Sequence, residues 1–138
     1  MTTVLNRDSI QVKRDLQKRV ENWVAEYCDA LEENFKQYTI RSYKTNIESP
    51  SSATVGYKSY YEEQLQKIED GTENLYKWDY KVGKKFIKVF NLQYEEPNEY
   101  YNRKGGYRAG SVTAFIDKNT GEVYKPASWK SPAKHVRF

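Results

Sequence analysis

The sequence has few of the residues on which catalytic and metal sites most often depend. Among its 138 residues there is one cysteine, Cys28, and one histidine, His135. A disulfide within the chain needs two cysteines, and a zinc site built from Cys and His needs three or four ligands. The counts therefore exclude both features within one chain. Any Ser/His/Asp or Cys/His catalysis would depend on His135.

Other catalytic patterns are missing as well. No P-loop or dinucleotide fingerprint occurs. Three adjacent carboxylate pairs lie in polar segments: Glu62/Glu63, Glu69/Asp70 and Glu95/Glu96. General acid–base catalysis needs carboxylates whose environment in a cleft perturbs them, so we interpret these pairs as solvated surface. We expect no catalytic residue, no metal ligand and no cofactor, and predict that the protein is not an enzyme.

Long apolar runs are also absent. No stretch approaches the ~20 apolar residues of a membrane-spanning helix, and the first residues, MTTVLNRDSI, lack the pattern of a signal peptide. We therefore expect a soluble intracellular protein with no membrane partner. The 13 Tyr, 5 Phe and 3 Trp residues can each bury about 150–250 Å². These aromatics favour one small folded domain, residues 1–138, with a Tyr-rich core.

The clearest predicted element is a long helix over residues 8–38. Its apolar side chains recur at spacings of three and four, typical of one buried stripe: Val12, Leu16, Val20, Trp23, Val24, Tyr27, Leu31 and Phe35. Basic residues come first (Lys13, Arg14, Lys18, Arg19) and acidic residues follow (Glu21, Glu26, Asp29, Glu32, Glu33). This order opposes the helix dipole. It fits either a solvated outer face or an antiparallel partner helix, and hence a homodimer.

The rest of the chain predicts a shorter helix and two hairpins. Residues 39–57 look irregular, and residues 58–69 have helical spacing before Gly71. Residues 75–94 and 111–125 alternate with period two, as hairpins do. The fold class we predict is α+β, with the long N-terminal helix packed on a three- to four-stranded antiparallel β-meander.

Turns and connections complete the prediction. Residues 117–121 (DKNTG) have turn chemistry, with Gly121 placed to adopt positive φ. They do not match a calcium loop, which needs glycine at its sixth position and a carboxylate at its twelfth, here Ser128. Residues 95–110 are interpreted as a long polar connection, and residues 126–138 as a basic tail.

Charge is distributed unevenly along the chain. Residues 101–138 hold eight basic side chains against two acidic ones, whereas residues 1–100 are slightly acidic. Basic side chains interleaved with aromatics suit a nucleic acid, because cations displace counterions from phosphates and aromatic rings stack on bases. An acidic protein surface would be attracted by the same charge. The candidate binding residues are Arg103, Lys104, Tyr107, Arg108, Trp129, Lys130, Lys134 and Arg137.

The late part of the chain resembles known sequences. The runs SVTAFID (111–117), TGEVYKPASWK (120–130) and PAK (132–134), together with Arg137, are similar to the C-terminal segment of small uncharacterised proteins of tailed bacteriophages. Those proteins pair an F-I/V-D-x-x-T-G-x-V-Y/L-K hairpin with a W-K/R-x-P-A-K tail. The run KKFIKV (84–89) also looks like their preceding strand.

The resemblance implies a viral accessory protein, in the host cytoplasm or in the virion, and carries no catalytic residues. We therefore predict binding of a macromolecule through the basic, aromatic C-terminal surface, with nucleic acid as one partner. The alternative is a protein–protein assembly, virion or host-inhibitor protein that uses the long helix.

Overall fold

The fold is α+β, as the sequence predicts. The computed structural model describes residues 2–48 and 57–136, with side chains from Ser9 onward. Two helices precede five strands: α1 (Thr2–Glu48), α2 (Tyr57–Asp70), β1 (Lys77–Val82), β2 (Phe86–Glu95), β3 (Gly106–Asp117), β4 (Val123–Pro126) and β5 (Pro132–Val136). Neither described helix is long and apolar enough to cross a membrane.

The five strands form one antiparallel meander in the order β1-β2-β3-β4-β5. Ile87 of β2 lies opposite Ile116 of β3, and Ile116 lies opposite Val123 of β4. The β3–β4 turn is closed by a hydrogen bond of 2.7 Å from the Gly121 amide to the Asp117 carbonyl. Gly121 has φ of 77°, which confirms the turn conformation predicted from sequence.

Helix α1 packs across one face of the sheet and forms the core with it. The buried residues of this core come from α1, β2 and β3: Val20, Val24, Cys28, Ile87, Val89 and Ile116. Partly buried side chains, including Trp78 and Tyr80 of β1, pack around them. Val20 and Val24 of the predicted stripe make the expected contact with the sheet, and Tyr27 and Leu31 pack against them. Val12, Leu16 and Trp23, predicted to belong to the same stripe, are instead exposed to solvent.

Successive side chains of a strand point to opposite faces of its sheet. Because Ile87 and Val89 of β2 face α1, Phe86, Lys88 and Phe90 face the other way. Lys88 lies opposite Phe115 of β3, which is therefore on the same side. We call this side, away from α1, the open face of the sheet.

The number of strands differs from the prediction of three to four. Residues 132–136, predicted as part of a basic tail, form β5 at the edge of the sheet. Pro126 and Pro132 lie opposite each other where β4 meets β5. Proline has no amide proton to donate, but it is tolerated at the last residue of β4, which has no partner on β3, and at the first residue of the edge strand β5. The two prolines therefore lie at one end of the paired segment and are compatible with pairing between β4 and β5.

Other boundaries also differ from the prediction, including the start of α1, which lies at Thr2 and not at residue 8. Strand β3 begins at Gly106 and β2 extends to Glu95, so the expected polar connection over 95–110 is shorter than predicted. Helix α1 continues to Glu48, and residues 39–48, expected to be irregular, are helical. This part of α1 packs against α2, with the Tyr43 and Tyr61 ring centroids 5.7 Å apart. Residues 49–56 were also expected to be irregular, but they lie outside the described residues. Tyr57, the last residue of that predicted segment, begins α2.

Candidate functional site

The open face carries its own aromatic cluster. The ring of Phe86 makes edge contacts with Phe115 and Tyr124, at centroid distances of 6.2 and 5.4 Å. Phe115 is buried although α1 does not cover it. These rings come from β2, β3 and β4, so they form a rigid apolar floor fixed by three paired strands.

Trp129 extends this floor from the β4–β5 connection. Its ring lies 5.8 Å from that of Phe90, and the Lys88 ammonium group lies 4.5 Å from its centroid. The connection is closed by a hydrogen bond of 3.0 Å from the Ala127 amide to the Ser131 carbonyl. Trp129 is thus held in place by an aromatic contact and a cation–π contact while 42% of its surface stays exposed.

A cleft of about 300 Å³ lies beside these rings and is lined by lysines. Phe86 and Phe115 line its apolar part. Five lysines surround it: Lys81, Lys84, Lys85, Lys88 and Lys130. No carboxylate is among the described residues that line this cleft, and none of the five lysines forms a salt bridge with another described residue. We call this feature the lysine cleft.

The β1–β2 turn holds two of these lysines at the rim. The Gly83 amide donates a hydrogen bond of 2.9 Å to the Phe86 carbonyl, which closes the turn around Lys84 and Lys85. Lys118, at the end of β3, donates from Nζ to the Gly83 carbonyl at 2.9 Å. Its amide also donates to the Lys85 carbonyl at 3.1 Å. The turn is therefore fixed from two sides, and its two lysine side chains are exposed to solvent.

Two of the three candidate arginines do not line the lysine cleft and are already paired. Arg103 and Arg108 both bind Glu95, with N–O distances of 2.6 and 2.9 Å. The hydrogen bond from Arg108, followed by the positive charges of Arg108 and Arg103, lowers the pKa of Glu95 below its ordinary value. The carboxylate stays charged and offsets part of the arginines' positive charge.

Tyr107 has a structural contact. Its hydroxyl donates a hydrogen bond of 2.9 Å to the Leu75 carbonyl, and the Lys77 ammonium group lies 4.4 Å from its ring centroid. Burial, followed by nearby acidic groups, raises the pKa of this hydroxyl. The Tyr107 ring is therefore engaged within the sheet and is only partly accessible for stacking.

Lys104 and Lys134 do not line the lysine cleft. Lys104 is exposed in the β2–β3 connection, and Lys134 is exposed on β5. Arg137 lies outside the described residues. Of the predicted residues, Lys130 lines the lysine cleft, and Trp129 lies beside it in contact with Lys88.

The other four lysines of the cleft were missed by the charge count over residues 101–138. A local signal was present, since residues 81–88 (KVGKKFIK) contain four lysines and no acidic residue. Averaging charge over the first hundred residues hid this hairpin, because α2 and residues 95–99 contribute an excess of carboxylates.

The lone cysteine has no arrangement for nucleophilic chemistry. Burial, followed by the nearby charges of Asp79, Glu32 and Asp29, raises the pKa of the Cys28 thiol to about 11. A thiol of this kind is protonated at neutral pH and is a poor nucleophile. His135 lies on the exposed strand β5, whereas Cys28 lies in the core between α1 and the sheet. Within residues 2–48 and 57–136, no group of three or more His, Cys, Asp or Glu side chains is arranged to hold a metal ion.

Comparison with known sequences places nearly the whole chain in one family. Residues 7–138 match the model of a family of unknown function (DUF7717). The chain belongs to this DUF7717 family. No curated protein and no solved structure gives a significant match. Because the DUF7717 family is defined without an activity, the function of this member is argued from the geometry of its open face.

Proposed function

We propose that this protein binds single-stranded nucleic acid through the open face of its sheet. The observation that carries the proposal is the lysine cleft, in which five lysines surround one space without a carboxylate among the described lining residues. The contacts are made by Lys84, Lys85 and Lys130 at the rim, with Trp129 beside them.

The charge arrangement favours a polyanion as the ligand. Five like charges around one cleft repel each other, and the apolar floor of Phe86 and Phe115 concentrates their field. A chain of phosphates relieves this repulsion and releases its own condensed counterions on binding. Arg103 and Arg108 contribute less, because Glu95 already pairs with both.

The aromatic side chains favour unpaired bases over a duplex. Trp129 is 42% exposed next to the lysines, and Phe86 and Phe90 are partly exposed on the same face. An unpaired base offers its face for stacking, which is worth about 1–3 kcal/mol per base. Bases stacked inside a duplex do not offer that face. A sheet face that combines aromatics with lysines therefore suits a flexible single strand.

Charge reversal at the cleft tests the proposal. The variant with Lys84→Glu, Lys85→Glu and Lys130→Glu places three negative charges where phosphates are expected to bind. We expect its affinity for a fluorescent single-stranded oligonucleotide, measured by anisotropy, to fall by at least about tenfold. The matched control reverses Arg41, Lys44 and Lys58, which are exposed on α1 and α2. It changes the net charge equally, and we expect a much smaller loss.

Two further outcomes separate nucleic acid from an acidic protein partner. Trp129→Ala should lower the affinity for the oligonucleotide by roughly fivefold to a hundredfold, because it removes a stacking surface and leaves the lysines in place. Polyglutamate binding of equal strength, insensitive to Trp129→Ala, would instead identify an acidic polypeptide as the ligand. No retention of the oligonucleotide at low salt would refute the proposal, as would equal losses in the cleft variant and its control.

We place this activity in an accessory, non-enzymatic protein of a tailed bacteriophage. The support is the resemblance of residues 111–117 and 120–130 to a segment of phage proteins, and the KKFIKV run (84–89) belongs to the same resemblance. That run supplies three of the five lysines of the cleft. We expect the protein to bind nucleic acid in the host cytoplasm or within the virion.

A further inference from the structure

One side of α1 carries apolar side chains that the sheet and α2 leave largely or partly exposed to solvent. Val12, Leu16 and Trp23 are all exposed, and 59% of the Trp23 surface is open to solvent. Together with Ala30, also exposed, they recur at spacings of four and seven residues. At 3.6 residues per turn, these spacings place the four side chains on one side of the helix. We call them the α1 stripe.

The sheet side of the α1 stripe is bordered by two hollows that share Trp23. One, of about 400 Å³, is predominantly apolar and lies between α1 and the β3 and β4 strands, where Ala30, Ile116 and Val123 line it. The other, of about 490 Å³, is lined by Leu16 and Gly121 among others. The Trp23 side chain therefore forms a ridge between two depressions. The Trp23 ridge of a second copy can fit into one of these depressions.

The charges beside Trp23 are complementary to a reversed copy of the same surface. Arg19 and Glu26 are both exposed and lie on the same side of α1 as Trp23. Neither makes an ion pair with another described residue. A two-fold axis through Trp23 would place Arg19 opposite Glu26 of a second copy, and Leu16 opposite Ala30 of that copy. A parallel arrangement would instead bring like charges together.

We infer that α1 pairs with α1 of a second copy of this chain in an antiparallel homodimer centred on Trp23. The pairing buries both tryptophans and forms two Arg19–Glu26 ion pairs related by symmetry. It also accounts for the block order of charge along α1, because the early basic part of one helix then lies along the later acidic part of the other. This inference goes beyond the proposed function. It leaves the lysine cleft accessible, since α1 and the cleft lie on opposite faces of the sheet.

Charge reversals at Arg19 and Glu26 test the antiparallel pairing. We expect the wild-type chain to sediment as a concentration-dependent dimer. Arg19→Glu and Glu26→Arg each replace two attractive pairs by two repulsive ones, so each should weaken the dimer by roughly tenfold or more. An equal mixture of the two variants restores opposite charges at both symmetry-related positions. The mixture should therefore dimerise where neither variant does so alone.

Matched controls and a spectroscopic readout complete the experiment. Lys58→Glu and Glu62→Arg, exposed on α2, should leave the dimer unchanged. Circular dichroism checks that each variant keeps its helices. In the wild type, tryptophan emission should shift to the blue as concentration rises, and Trp23→Phe should remove this shift. A wild-type chain that stays monomeric at every concentration would overturn the inference. The α1 stripe would then be a contact surface for a different protein. A mixture that associates no better than its separate components would also overturn the inference.

Discussion

Single carboxylates decide which basic side chains of this protein are available to an anion. Glu95 pairs with both Arg103 and Arg108, whereas no described carboxylate pairs with Lys84, Lys85 or Lys130. Sequence composition cannot show this difference, because the Glu95–Arg108 contact depends on how β2 and β3 pair. In the observed register, Glu95 lies opposite Gly106 and Gln93 lies opposite Arg108.

The Glu95 carboxyl group should report these contacts when it is titrated. The hydrogen bond from Arg108 is the largest cause of its lowered pKa, so we expect an NMR titration midpoint below the ordinary value of 4.5. Because the folded-state pKa is lowered, the stabilisation is present above the unfolded-state pKa. It is lost as the pH falls through the folded-state pKa. Arg108→Ala should raise the midpoint toward 4.5, and a midpoint that stays unchanged in this variant would contradict the assignment.

At the scale of elements, the contact between α1 and the sheet contains most of the buried apolar residues among those that the structure describes. Val24 of α1 and Val89 of β2 are fully buried, and both belong to the same cluster. The first turn of α1 holds no acidic side chain and its last turn no basic one, so neither end of the helix complements the helix dipole. The helix therefore depends on this packing more than on its own charges.

Two valine truncations on neighbouring strands measure this contact. Val89→Ala should lower the free energy of unfolding by about 2–3 kcal/mol, because it removes buried methyl groups and leaves a cavity. Val82→Ala is the matched control, since Val82 is 44% exposed at the end of β1. Its effect should be below about 1 kcal/mol. Urea unfolding measures both variants. Equal losses of unfolding free energy in Val89→Ala and Val82→Ala would show that the α1–sheet contact is not the core of the fold.

The helices and both hairpins follow from local patterns, and the rest depends on contacts distant in sequence. The spacing of Val20, Val24 and Leu31 predicts an amphipathic helix whatever its partner is. The last ten residues of α1 were missed because Tyr43 packs on Tyr61 of α2, which lies beyond the segment 49–56. Strand β5 was missed because Pro126 and Pro132 resemble strand breakers, whereas Pro126 is the last residue of β4 and Pro132 the first residue of β5.

The candidate site was predicted in part for the same reason. Trp129 and Lys130 stand out locally, as an aromatic and a basic residue in adjacent positions. Their association with Lys84 and Lys85 requires the β1–β2 turn to meet the β4–β5 connection across the open face. Only the order of the strands in the sheet supplies this information.

At the scale of the whole molecule, the sheet separates two surfaces of different character. One face supports α1, whose outer side presents the apolar stripe around Trp23, and the other carries the aromatic cluster and the lysine cleft. An antiparallel dimer through α1 would therefore present two lysine clefts. A single-stranded nucleic acid long enough to reach both lysine clefts would bind the dimer more tightly than a shorter one that reaches a single cleft.

The dependence of binding on salt tests the central claim most directly. The logarithm of the association constant for a single-stranded oligonucleotide that spans one cleft should fall linearly with the logarithm of salt concentration. The three contacts of Lys84, Lys85 and Lys130 predict a slope of about −2.1, and Lys84→Gln with Lys85→Gln should make it shallower by about 1.4. A flat dependence, or a slope unchanged in this variant, would show that the lysine cleft does not bind phosphates.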